Sequence, residues 1–301
     1  MVSVILPSYN SASTIVPVLT ALENQSFNEP YEIILVDSSQ DETPQLVGRH
    51  FPKITYIHLP QKTDPGTARN LGLSKSSGDP ILFIDSDCVA QPDWIENFVT
   101  MHRQSDYAAV GGAVINGNDP ANDVAWAGYM AEFREFIPEQ PQREVDHIPT
   151  CNISYKRKYL EELGGFNPNY YPQEDLDFNY RLRQAGGRIL FFPEAVVAHN
   201  HRTTVSDFVR HQKNVGVITS SMLHVLPLDG HRIVESSLKT ILAAPVLPLV
   251  KWFRTVWLFA KMKPIILKEH PKAAIIFAYG LLPWTSGFVS GAFHPKTKKQ
   301  I

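Results

Sequence analysis

The feature that most constrains this chain is an alternation. Over residues 1–115, short apolar runs take turns with stretches of helical spacing. The runs are Val2–Leu6, Glu32–Val36, Ile54–Leu59, Ile81–Ile84 and Ala108–Val114. Between them lie Thr14–Asn24, with Ile15, Val18, Leu19 and Leu22 on one face, then Thr43–His50, Gly66–Ser74 and Pro92–Gln104. This pattern predicts an α/β chain, a doubly wound mixed sheet with helices on both faces. Ligands of such sheets sit beyond the carboxyl ends of the strands. Here those ends carry Pro7-Ser8-Tyr9-Asn10, Asp37-Ser38-Ser39 and Asp85-Ser86-Asp87, so polar and acidic groups collect on one edge.

Residues 116–149 mix Asn, Asp, Pro, Gln and aromatic side chains and read as irregular, with one helix over Asn122–Phe136. Regularity returns with a strand in Thr150–Tyr155, a helix around Arg157–Leu163 and the turn Gly164-Gly165. A strong helix spans Gln173–Ala185, stopped by Gly186-Gly187. Short strands follow near Ile189–Phe192 and Ala195–Ala198, then a helix from Val205 to His224. The expected division is 1–225 for an α/β region whose strand edge takes the ligand and 226–301 for a helical, apolar and basic, membrane-associating tail.

Each acidic strand end has a chemistry. Asp85 and Asp87, at i and i+2 after a buried strand, can turn toward one point, and paired hard oxygens suit Mg²⁺ or Mn²⁺. Asp37 can accept hydrogen bonds from a base or ribose, or it can cap the helix at Thr43, a role that Asp41 fits better. Gly66 lets a ligand approach the backbone at a helix start, and Arg69 answers pyrophosphate charge. Glu174, Asp175 and Asp177 open the strongest helix of the second half. Acids there complement the helix dipole, and one of them can also serve as general base for a hydroxyl acceptor. His199, after the last strand, can complete a metal shell begun by Asp87.

In this order, Pro7-Ser8-Tyr9-Asn10, Val36-Asp37-Ser38-Ser39, Gly66-Thr67-Ala68-Arg69-Asn70, Asp85-Ser86-Asp87, Gly164-Gly165-Phe166 and Glu174-Asp175-Leu176-Asp177 resemble family 2 glycosyltransferases over about residues 1–210. The resemblance implies the GT-A fold and an inverting transfer from a nucleotide-diphospho-sugar, most often a uridine one. It implies donor contacts from Pro7, Tyr9, Asp37, Arg69, Asp85 and Ser86. A Mn²⁺ or Mg²⁺ ion would be held by Asp87, Asp85 and His199, the last fitting better than His201. The base would come from the pair Glu174 and Asp175, the role falling to Asp175. The family usually places a second acid directly after the Asp37 position, where this chain has Ser38. A sugar nucleotidyltransferase would carry a Gly-rich, Arg/Lys-containing loop after the first strand, where Pro7–Ser11 stands. A non-catalytic scaffold would be expected to lack Asp85, Asp87 or Asp175, and all three are present.

Charge and apolarity set the remaining expectations. The net charge of −2 argues against a nucleic-acid binder. Two cysteines, Cys88 and Cys151, exclude a disulfide-rich scaffold and fit a reducing compartment. Met1–Pro7 has no basic n-region and reads as a strand, not a signal peptide. Residues 231–301 hold 11 Lys/Arg and 2 Asp/Glu, a balance of +9 against −11 for the rest. Residues 238–260 are apolar but interrupted by Lys239, Pro245, Pro248, Lys251 and Arg254, which suits an interfacial or packed segment. Residues 273–293 are uncharged, between Lys272 and the cluster Lys296, Lys298 and Lys299. As a helix they would reach about 31 Å, so spanning, insertion into one leaflet, and packing within a helical subdomain or oligomer all stay open. The expected setting is the cytoplasmic face of a membrane, with a glycan or lipid-linked acceptor.

Overall fold

The structure is a computed structural model describing residues 1–294, so Lys296, Lys298 and Lys299 lie outside the described residues. The chain divides into two compact units. One holds residues 1–117 and 136–200, and the other holds 118–135 and the described residues from 201 onward.

The first unit is built on one nine-stranded sheet: β1 (Val2–Ser8), β2 (Tyr31–Asp37), β3 (Thr55–His58), β4 (Ile81–Ile84), β5 (Cys88–Ala90), β6 (Ala109–Asn116), β7 (Arg143–Val145), β8 (Asn152–Tyr155) and β9 (Ile189–His199). Its order is β3-β2-β1-β4-β8-β6-β9-β5, with β7 also paired to β9. β1 to β4 form a parallel block, β8 runs antiparallel to β4 and β6, and β6 is parallel to β9. Every residue of β1 is buried, which explains why that strand reads as a continuous apolar run. The helices of this unit are α1 (Ile15–Glu23), α2 (Thr43–His50), α3 (Pro65–Lys75), α4 (Trp94–Gln104), α6 (Arg157–Glu162) and α7 (Glu174–Gln184); α5 (Asp123–Phe133) belongs to the second unit. The face of α1 that sinks into the core is Ile15, Val18, Leu19 and Leu22, the face its spacing predicts.

Two details differ from the sequence reading. The strands expected at 189–192 and 195–198 are one strand, β9, whose register shifts opposite Gly112 and Ala113. A bulge there accommodates Pro193, which lacks a ladder donor, and a side chain on Gly112 would collide with the Ala195 carbonyl. β5 and β7 were not anticipated, because three residues carry too little alternation to register as strands.

The second unit is helical: α5, α8 (Val205–Val225), α9 (His231–Val234), α10 (Ser237–Ala243), α11 (Leu247–Met262), α12 (Pro264–Glu269) and α13 (Pro271–Phe293). The break between α10 and α11, a bend of 46°, falls at Pro245. α8, counted with the catalytic region in the 1–225 division, packs instead against α13. A Cβ on Gly216 would meet the Trp284 carbonyl, one on Gly287 the Lys213 carbonyl, and one on Gly291 the Val217 carbonyl. Glycine lets the two backbones touch, so α13 spends its small-residue face on a neighbouring helix.

Candidate active site

The cleft lies where the sheet changes winding direction. β1 has β2 on one side and β4 on the other, which leaves a crevice between the loops at their carboxyl ends. The crevice measures about 200 Å³. It is lined by Pro7, Ser8 and Tyr9 after β1, Thr63, Pro65, Ala68 and Arg69 around the start of α3, and Asp85, Ser86 and Asp87 after β4. A larger hollow of about 650 Å³ sits beside Tyr31 and Thr55, the first residues of β2 and β3. It is at the amino ends of the strands, away from Asp37, Asp85 and Asp87.

Arg69 organises the acids. It is 3% exposed, its Nη2 donates to Asp85 Oδ1 at 2.7 Å, and its Nη1 donates to Glu174 Oε1 at 2.7 Å. A buried guanidinium gripping two carboxylates is held charged, and it ties the β4 loop to the first turn of α7. Glu174 is 3% exposed, and burial pushes its pKa up to about 7 although Arg69 pulls it down. Gly66 serves this contact, since a Cβ there would crowd Glu174 Cγ at 3.0 Å.

Asp175 differs from its neighbour. It is only partly buried, and its Oδ2 accepts from the Thr150 amide at 3.2 Å. Asp177 faces away from such a role, paired with Arg181 at 2.9 Å. The turn carrying Glu174 and Asp175 rests on a cluster of rings: Phe83–Phe166 at 5.2 Å, Tyr155–Phe178 at 5.1 Å and Phe166–Phe178 at 5.2 Å. Such pairs add about 0.5–1.5 kcal/mol each beyond their burial. Asn70 clamps the Gly164-Gly165-Phe166 turn in both directions, donating to Phe166 O at 2.6 Å and accepting from its amide at 2.9 Å. Gly164 and Gly165 take φ of 74° and 68°, conformations that favour glycine.

Asp87 meets His199 across the β5–β9 ladder. That ladder pairs Cys88 with His199 and leaves His199 Nε2 3.7 Å from Asp87 Oδ1. The Cys88 thiol joins them within 4.8 Å, but Cys88 is fully buried and burial pushes its pKa well up. A carboxylate and an imidazole form a set that suits Mn²⁺ and, less well, Mg²⁺. His201, the other candidate, has a 1% exposed side chain held against Tyr129 and Phe133 in the helical unit.

Asp37 is fully buried. Its carboxylate accepts from the Ser39 amide and hydroxyl and from the Tyr56 hydroxyl at 3.0 Å, and it lies 3.0 Å from His58 Nδ1. The exposed member of that group is His58, at 40% for its side chain. Neither Tyr56 nor His58 was anticipated. The signal was available, since β3 is a further parallel strand ending at the same edge. Asp41 takes the helix-start role, accepting from the Thr43 amide at 3.0 Å.

Residues 3–164, more than half of the chain, match the profile of Glycosyl transferase family 2. The chain belongs to that family. Relatives within it include the O-antigen chain rhamnosyltransferase RfbN of Salmonella typhimurium, 30% identical over 227 residues, covering 72% of this chain and 71% of that one. The pre-mycofactocin glycosyltransferase of Mycobacterium tuberculosis is 28% identical over 215 residues, covering 69% of this chain but 44% of the relative, so the chain matches under half of that protein's length. Among solved structures, the Pyrobaculum calidifontis mannosyltransferase PcManGT, in complex with GDP-Man and Mn²⁺, has a TM-score of 0.61 at 19% identity, covering 95% of this chain and 86% of that one. S. aureus TarS 1-349 in complex with UDP-GlcNAc has a TM-score of 0.54 at 19% identity, covering 97% and 90%. These likenesses show a fold in common, the family 2 mixed sheet of GT-A type.

Proposed function

We propose that this family 2 chain is an inverting, metal-dependent glycosyltransferase. It moves a sugar from a nucleotide-diphospho-sugar, a UDP-sugar first among the candidates, to a hydroxyl of a glycan or lipid-linked acceptor at the cytoplasmic face of a membrane. Envelope or extracellular glycan or glycolipid synthesis is the fitting process. The observation that carries the reading is the joining of three elements at one strand edge. Arg69 locks Asp85 to Glu174, Asp87 stands opposite His199, and Asp175 stays partly open beside the locked pair.

In this reading the β1 end and the α3 start cradle the nucleoside diphosphate, with Tyr9 offering a ring face and Ser86 a hydroxyl. A divalent cation bound by Asp87 and His199 would neutralise the charge that grows on the departing diphosphate. Asp175 takes the proton of the acceptor hydroxyl, which attacks the anomeric carbon from the face opposite the leaving group. Glu174, engaged by Arg69, holds α7 in register and is not the proton acceptor. The test is nucleoside diphosphate release from a panel of sugar nucleotides, with Mn²⁺, Mg²⁺ or chelator, and anomeric configuration of the product by NMR. A retained anomeric configuration, or no turnover with any sugar nucleotide, overturns the reading.

A further inference from the structure

Two helices of the second unit carry an apolar surface that its own core does not use. On α10, Leu238, Ile241 and Leu242 are 67%, 55% and 64% exposed. On α11, Leu249, Val250, Phe253 and Trp257 recur at helical spacing on one outward face, each more than half exposed. The opposite face of α11 is already packed, with Thr255, Leu258 and Phe259 buried. α11 is thus apolar on both sides, with one side facing out. Arg254, which also pairs with Glu135 at 2.9 Å, and Lys261 stand four residues after Val250 and Trp257 and border the outward face, and the sequence from Ser237 to Lys272 holds seven Lys/Arg and one Glu. Aromatic and aliphatic side chains edged by cations fit the headgroup boundary of an anionic bilayer.

The longest apolar helix does not fit the complementary role of a span. α13 lies backbone to backbone along α8 through Gly216, Gly287 and Gly291. The α8 residues beside its middle include Lys213, with Arg210 one turn earlier and Asn214 following, all exposed. A bilayer crossed by α13 would take these groups into hydrocarbon.

We propose that the chain binds an anionic bilayer in plane through the outward face of α10 and α11, with α13 held along α8 and crossing nothing. This rests on the membrane setting proposed above and gives it a surface and a depth.

The experiment is flotation of the full chain with vesicles of phosphatidylcholine alone and of phosphatidylcholine with phosphatidylglycerol, alongside the double variant Phe253→Ser/Trp257→Ser. Both side chains are 64% exposed, and an unchanged thermal melt controls for folding. The expected result is flotation with the anionic vesicles, release of the wild type by alkaline carbonate, and a floated fraction down about tenfold in the variant. Failure of the wild type to float with either vesicle, as a dimer closed over this face would show, overturns the membrane setting and this surface together. Flotation that survives both the substitutions and carbonate leaves the membrane setting standing and overturns the in-plane surface in favour of an integral span. The variant Lys261→Gln/Arg254→Gln adds a separate reading: its flotation should weaken at low salt and match the wild type at high salt. Equal flotation at both salts removes the electrostatic half of the proposal.

Discussion

The two units differ most in what they leave at their surfaces. Among the described residues, the α/β unit exposes three large apolar side chains, Met1, Tyr9 and Tyr171, whereas the smaller helical unit exposes fourteen. The α/β unit buries apolar strands under helices and gathers its difficult polar groups, Arg69, Glu174 and Asp37, at one strand edge. The helical unit keeps close backbone packing inside, where Gly216 meets α13 and Gly287 meets α8, and leaves apolar residues outside. The same chain thus joins buried acids through Arg69 at the strand edge of one region and leaves bare apolar area on the surface of the other. Substitutions that alter charge should therefore act on turnover in the first, and substitutions that alter shape should act on stability in the second.

The largest effect tests this at the proposed base. Asp175→Asn keeps shape and removes proton affinity, so turnover should fall by about 10³-fold or more. Donor affinity, read by calorimetric titration, should stay within about twofold, because the base does not touch the nucleotide. A collapse of donor affinity alongside turnover would move Asp175 into the donor site.

A neighbouring carboxyl should report through pH instead. The pKa of Glu174 is pushed up to about 7 from an ordinary 4.5 by burial. Between those values the folded state holds a proton that the unfolded state has released, so this group's contribution to stability is full below about 4.5 and is lost as pH rises to about 7. In Glu174→Gln that term is absent. The stability difference between wild type and variant should therefore fall by about 3 kcal/mol across that window and stay flat above it. Denaturant titrations at pH 4.5, 6, 7 and 8 measure it. A difference that does not change with pH would mean that Arg69 holds Glu174 ionised throughout.

Asp87 comes next. Asp87→Asn should cost about 10²-fold in turnover, the usual loss for one electrostatic stabiliser, and should raise the Mn²⁺ concentration needed for half-maximal rate. Unchanged metal dependence would remove Asp87 from the metal set.

Much of this α/β unit was legible in the sequence for a physical reason. β1, β2 and β4 are buried on both faces, so their apolar runs stand out, and winding direction tells which ends hold a ligand. What was not legible depends on distance along the chain. The grip of Arg69 on Glu174 joins residues 105 apart, and no local pattern announces it. The closing of Tyr56 and His58 around Asp37 is likewise a matter of which strands pair, and β5 and β7 are too short to show a period. In the helical unit, composition showed that 273–293 is apolar and long, but not that Gly280, Gly287 and Gly291 are its contacts with α8. Close backbone contact with α8 is the purpose that the structure gives those glycines.

The helical side of the comparison is tested by adding one methyl group. A Cβ on Gly287 would strike the Lys213 carbonyl, so Gly287→Ala should force α8 and α13 apart. The expected loss is about 2 kcal/mol of stability, in the ordinary range for overpacking. Thermal melts should show it, while the donor affinity of the folded protein should be unchanged. A neutral result would mean that the two helices do not pack as closely in solution.

The smallest effect concerns the first turn of α8. Thr204 is exposed and caps the helix, its Oγ1 accepting from the Asp207 amide at 3.2 Å. Removing an N-cap leaves a helix donor to water and usually costs about 1 kcal/mol. Thr204→Ala should therefore lower stability by that amount in denaturant titrations, and Thr204→Ser should restore it, since serine keeps the hydroxyl. The contrast with Asp175 lies in the second readout. Asp175→Asn should abolish transfer without unfolding anything, while Thr204→Ala should unfold sooner yet turn over a soluble acceptor at the wild-type rate below its midpoint. If Thr204→Ala slowed transfer at a temperature where the protein is fully folded, and Thr204→Ser restored the rate, the start of α8 would belong to the reaction and the division of labour between the two units would fail.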